Sequence, residues 1–114
     1  MENKTERLTV EAVELLKEMI SIPSPSFEED AVCGHVCKWL SDHGVEHRRV
    51  GNNIIAEHIA DPTRPTLMLC AHMDEIGFMV KNIENDGRIH IVLIGNTDSR
   101  TLSGRRVRFL NGTV

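Results

Sequence analysis

The sequence predicts an α/β fold in which two helices come first and strands follow. Three observations lead there. Apolar residues recur at helical spacing in two successive segments, 9–20 and 27–43, each bounded by capping or turn signals. Two apolar runs of strand length, 66–71 and 76–80, then flank the charged stretch His72-Met73-Asp74-Glu75. Beyond residue 84 the pattern changes to alternating runs punctuated by Asn85-Asp86-Gly87 and Asn111-Gly112, which are hairpin turn signals.

Taken in order, residues 1–7 form a polar lead-in. Thr9 is the expected N-cap of a first helix ending near Ile20. Val10, Val13, Leu16, Met19 and Ile20 make its apolar face, and Glu14 can pair with Lys17 on the other side. Ile22-Pro23-Ser24-Pro25-Ser26 stops this helix, because each proline biases the residue before it towards extended backbone. Ser26-Phe27-Glu28-Glu29 reads as a capping box for a second helix, with Phe27, Val32, Val36, Trp39 and Leu40 inward and Gly44 at the left-handed position after its end. Residues 45–50 read as an edge strand, Gly51-Asn52 as a turn and 53–59 as a second strand. After a loop at 61–65, residues 66–72 are expected to be a buried central strand. Residues 77–83 and 88–94 form the arms of a hairpin, 95–104 are turn-rich, and Asn111-Gly112 points to a further strand beyond it.

A chain of 114 residues is about one small domain, and 40% hydrophobic with 26% charged residues suits a globular core. The net charge of −4 identifies no partner. His47-Arg48-Arg49 and Arg105-Arg106 are isolated basic groups, so no nucleic-acid partner is expected. No signal-peptide core follows the polar start, and no apolar run reaches the roughly 18 residues of a membrane helix. Three cysteines without a C-x-x-C pair favour a reducing compartment, so a cytoplasmic location away from membranes is expected. Cys33 and Cys37 share a helix face and are expected to be packing residues.

The chemistry concentrates at His72. In open α/β sheets, ligands sit beyond the carboxyl ends of strands, which is where this histidine falls. Residues i and i+2 of an extended chain point the same way, so Asp74 can lie beside the His72 imidazole. A carboxylate there fixes the imidazole tautomer and raises its basicity towards a metal. The plainer alternative is a strand end whose histidine and aspartate simply bond each other. Glu75 should point to the opposite side. His35, His43, His47, His58 and His90 lack ligand spacing, and nothing marks a base or oxyanion hole for Cys70. Catalytic zinc ordinarily takes three protein ligands, and one candidate, His72, stands out here.

The stretch HMDEIGFMV, with Ile83, Asp86-Gly87 and then IGNTDSRTLSGRRV, resembles the M42 family of metallo-aminopeptidases, which includes glutamyl aminopeptidases. LLKEMISIPSPSFEED, with Gly51-Asn52-Asn53-Ile54, is similar to the sister M20 peptidases. The resemblance covers nearly the whole chain, as the front part of a longer enzyme. It implies a zinc-exopeptidase-type three-layer catalytic domain over residues 1–82, followed by the beginning of a β-rich oligomerisation domain at 83–114. It further implies two divalent metal ions, zinc or cobalt, with His72 as a metal ligand and Asp74 as the active-site residue that orients it. A peptide substrate cleaved at its N-terminus and a homo-oligomer are the implied partners. The other family ligands lie downstream, so the 114-residue chain alone is expected to be inactive. The alternatives are a fragment of an M20-type deacylase or dipeptidase, or a non-enzymatic assembly module that keeps the fold.

Overall fold

A computed structural model describes residues 3–112 and is of the α/β class. Helix α1 spans Lys4–Ser21 and α2 spans Asp30–Asp42. Strands β1 (His47–Val50) and β2 (Asn53–Ala56) form one antiparallel hairpin, and β3 (Gly77–Ile83) and β4 (Ile89–Ile94) form another. A single 3-10 turn, Ser99–Thr101, follows.

Helix α1 starts six residues earlier than Thr9 as N-cap predicts. Asn3 is the N-cap, its side-chain oxygen accepting from the Thr5 amide at 3.2 Å. Thr9 lies inside the helix, and its hydroxyl donates back to the Thr5 carbonyl at 2.8 Å. Both residue types can cap, and the upstream one admits an extra turn. Most of the expected lead-in is therefore helical, while residues 1 and 2 lie outside the described residues. The Glu14–Lys17 pair forms at 2.8 Å on the exposed side. The apolar face itself is not covered: Val10, Val13, Leu16 and Ile20 are exposed, and α1 buries no residue.

The capping box does not form. Helix α2 begins at Asp30, its N-cap Glu29 makes no side-chain cap, and the Ser26 hydroxyl is committed elsewhere. Glu29 instead accepts from the Phe27 amide at 2.9 Å. Phe27 has φ +77°, outside the helical region, and its ring is 91% exposed rather than inward. Among the described residues, the buried apolar ones are Val32 and Cys33, with Val36, Trp39 and Leu40 half-buried around them. Cys33 thus packs, its Sγ 3.5 Å from the Asn52 carbonyl, and burial pushes its thiol pKa up. Gly44, at φ +67°, ends the helix in a Schellman turn, with Val45 N–H bonded to Leu40 O and Gly44 N–H to Ser41 O.

The β1–β2 hairpin turns at Gly51-Asn52, in register from His47↔Ala56 to Val50↔Asn53. It is tied to α2 by Arg49, which pairs with Asp30, and by Asn52, whose amide donates to Glu29 at 2.5 Å. β2 ends at Ala56, short of the expected residue 59.

The expected central strand is absent. Residues 66–72 carry no ladder, and Leu67, Met68 and Leu69 are 83%, 80% and 87% exposed. A central strand needs a neighbour on each edge, and among the described residues the four strands pair only within their own hairpins. The β3–β4 hairpin, by contrast, forms as expected around Asn85-Asp86-Gly87, with an irregularity between Val80 and Asn82. Asp98 caps the 3-10 turn by accepting from the Arg100 amide at 3.0 Å. Residues 105–110 alternate charge and apolar in sequence but form no strand, while the Phe109–Gly112 turn closes with a 2.9 Å bond. The strand expected after it falls on residues 113–114, outside the described residues. Among the described residues, no helix is long and apolar enough to cross a membrane.

Candidate functional site

Two proline-flanked serines hold the HMDE stretch in place. Pro23 and Pro25 keep the backbone out of helix after α1, so residues 22–26 leave the helix as a non-helical segment with backbone groups free for bonding elsewhere. That segment runs beside residues 73–75 and makes an isolated parallel bridge, Pro25↔Glu75. The Glu75 amide donates to Ser24 O at 2.9 Å, and the Ser24 amide donates to Glu75 Oε1 at 3.1 Å. Ser24 Oγ donates to Met73 O at 3.3 Å, and Ser26 Oγ donates to Asp74 Oδ2 at 2.5 Å. Ser24 is buried at 4% exposure, so this clamp excludes water at its centre. Gly77 allows the close approach, since a Cβ there would stand 3.2 Å from the Pro25 Cβ.

His72 projects from this clamp with its side chain 86% exposed. Its Nδ1 lies 2.9 Å from the Asp74 carbonyl oxygen and 3.3 Å from Asp74 Oδ1. Both neighbours are acceptors, so Nδ1 carries the ring proton in the neutral imidazole and Nε2 keeps its lone pair. The Ser26 hydroxyl holds the Asp74 carboxyl below the usual carboxylate range, with smaller help from the His72 charge. Asp74 is therefore ionised at neutral pH and accepts from both sides. Glu75 spends a carboxylate oxygen on the Ser24 amide rather than on His72.

Three of the remaining histidines, His43, His47 and His90, are engaged elsewhere. His43 stacks on Trp39 with ring centroids 3.8 Å apart. His47 Nδ1 meets the Val45 carbonyl at 2.9 Å, His90 Nε2 meets Glu84 at 2.6 Å, and His35 Nε2 lies 3.5 Å from Glu18. His58 is exposed after the end of β2, and Cys70 is exposed two residues before His72. Among the described residues, no group of three or more His, Cys, Asp or Glu side chains is placed to hold a metal ion. A divalent first-row ion is nevertheless matched at one coordination position. An imidazole whose Nδ1 bonds the Asp74 carbonyl oxygen with the carboxylate 3.3 Å away, and whose Nε2 has no partner among the described residues, is a donor such an ion takes.

Sequence reasoning placed His72 and Asp74 together but assigned Ser24 and Ser26 only to helix termination and capping. A signal for them was present. Ser24 and Ser26 have the same i, i+2 spacing as His72 and Asp74, which in extended backbone turns two hydroxyls to one side.

Comparison with known proteins gives a consistent set of relatives. The model of the M42 glutamyl aminopeptidase family matches residues 51–114. A putative aminopeptidase, YhfE, from Bacillus subtilis is 38% identical over 93 residues, covering 81% of this chain and 27% of the relative. A lysyl aminopeptidase from Pyrococcus furiosus is 34% identical over 99 residues, covering 84% of this chain and 28% of the relative. A glutamyl aminopeptidase from Lactococcus lactis is 41% identical over 49 residues, covering 43% of this chain and 14% of the relative. The chain thus spans about a quarter of the length of the first two.

Proposed function

The chain belongs to the M42 glutamyl aminopeptidase family, and from that premise we propose that it is part of a two-metal aminopeptidase that releases N-terminal residues from peptides. His72 holds one divalent ion, zinc or cobalt, through Nε2, and Asp74 orients the ring. When bound, such ions polarise the scissile carbonyl and lower the pKa of a bridging water. The chain's own contribution is to present Nε2 unprotonated at an exposed edge and to keep the Asp74 carboxylate beside Nδ1. The observation that carries this reading is the His72–Asp74 pair, 3.3 Å apart, with Nε2 left over. Residues 1–82 then belong to a zinc-exopeptidase-type catalytic domain and 83–114 begin a β-rich domain through which copies assemble. The free cysteines are compatible with a cytoplasmic site of action.

A single oriented imidazole falls short of the three ligands of a catalytic zinc site, so the 114-residue chain alone is expected to lack turnover. The test has two parts. Zinc titrated into the purified chain should perturb the His72 ring resonances before those of the other histidines, and His72→Ala should abolish the event. An aminoacyl-anilide should stay intact under the same conditions. Zinc binding indifferent to His72→Ala overturns the ligand assignment. Chelator-sensitive turnover by the chain alone overturns the expectation of inactivity.

A further inference from the structure

We propose that Ser26 is a positioning residue: its hydroxyl, bonded to Asp74 Oδ2, locks the carboxylate so that Oδ1 faces His72 Nδ1 and the imidazole presents Nε2. The proposal deepens the metal-ligand reading of His72 and rests on it.

The geometry separates this role from helix capping. Ser26 and Asp74 are 48 residues apart in sequence, yet their side chains meet at 2.5 Å. No capping bond from Ser26 exists, because α2 starts four residues later with Glu29 as its N-cap. The carboxylate has two oxygens and each has one task, with Oδ2 accepting from Ser26 and Oδ1 lying 3.3 Å from Nδ1. A carboxylate held at one oxygen cannot rotate freely about its terminal torsion, which is otherwise broad and two-fold. An imidazole 86% exposed has no packing wall of its own to fix it. Two acceptors on Asp74 hold Nδ1, the backbone carbonyl at 2.9 Å and Oδ1 at 3.3 Å, and it is the second of these that Ser26 keeps in place. Ser24 acts differently, since its hydroxyl and amide bind the backbone of Met73 and the side chain of Glu75 and touch neither His72 nor the Asp74 carboxylate.

The experiment is long-range proton–nitrogen NMR of the His72 ring in the full 114-residue chain, at a pH where the imidazole is neutral, paired with zinc titration. The wild-type ring should carry its proton on Nδ1. Ser26→Ala should leave Nδ1 with the Asp74 carbonyl as its one fixed acceptor, raise the share of the tautomer protonated on Nε2 and weaken zinc binding about tenfold, the lower end of what loss of an orienting partner does. Ser26→Thr should restore both, and Ser24→Ala should leave the tautomer as in wild type. Should Ser26→Ala unfold the turn, Ser26→Cys carries the same comparison, because it keeps the volume with only a weak donor. A wild-type tautomer in Ser26→Ala overturns the proposal, and so does an equal shift in Ser24→Ala, which would make the turn a mere scaffold. If zinc binding proves independent of His72, the metal reading falls while the tautomer comparison still decides the role of Ser26.

Discussion

Residues 66–71 and strand β3 lie on either side of the same His72-Met73-Asp74-Glu75 stretch, and the apolar runs 66–71 and 76–80 are both of strand length. Their surroundings differ completely. β3 pairs along its length with β4, which returns through a turn at Asn85-Asp86-Gly87. Residues 66–71 meet no strand among the described residues, and three of their side chains are more than three-quarters exposed. Hydrophobicity is common to both and so cannot be what pairs one of them. The difference is where the partner comes from. β3 finds it a few residues along the chain, at a small loop-closure cost, with Gly87 at φ +87° making the turn. A central strand must recruit its neighbours from distant segments, and no described segment is available to it.

The sharpest way to break the contrast is to remove the local turn. Gly87→Val places a β-branched residue at φ +87°, where L-residues cost about 1–2 kcal/mol. Amide exchange within β3 and β4 should quicken by about tenfold for each 1.4 kcal/mol lost. Exchange at 66–71, already without ladder bonds, should not change. Unaltered protection in β3 and β4 would show that the pairing does not depend on this turn.

A smaller effect is expected on the unpaired side. Replacing Leu67 and Leu69 together by serine should change the stability of the chain by less than about 0.5 kcal/mol per site, as for surface positions without special contacts. The same side chains form an apolar unpaired edge, the type of surface that draws chains together. Light scattering should therefore show less self-association for the double variant than for wild type. A stability loss of several kcal/mol would mean that the run is buried after all.

What could be read in advance divides along the same line. The Schellman end at Gly44, the Glu14–Lys17 pair and the Asn85-Asp86-Gly87 hairpin rest on signals a few residues long, and each is found where expected. The class and the adjacency of His72 and Asp74 were legible for the same reason. The start of α1 was misplaced because Asn3, an equally good cap, lies ahead of Thr9. The failures at Ser26 and Phe27 are of another sort. A serine three residues before a glutamate is a sound local capping signal, but a carboxylate 48 residues away competes for the hydroxyl, and a charged acceptor makes the stronger bond. Nothing within the SPSFEED segment announces that competitor.

That competition makes the clamp, unlike either flanking run, sensitive to acid. The Asp74 carboxyl is held below its ordinary value of 3.8, first by the Ser26 hydroxyl. A group whose folded pKa is depressed adds stability that is present above its unfolded pKa and fades as pH falls through the folded one. The Ser26–Asp74 bond should therefore persist through neutral and mildly acid conditions and loosen only below the ordinary carboxylate range. Carbon chemical shifts of the Asp74 carboxyl, followed against pH, report the midpoint directly. In Ser26→Ala the midpoint should rise towards the ordinary value, because the first cause of the depression is gone and burial, which acts in the opposite sense, remains. Residues 66–71 contain no carboxylate, so their amide shifts should be flat across the same transition. A midpoint in Ser26→Ala equal to that of wild type would mean that the hydroxyl is not what holds the carboxylate ionised, and would move that role to the Asp74 amide and His72.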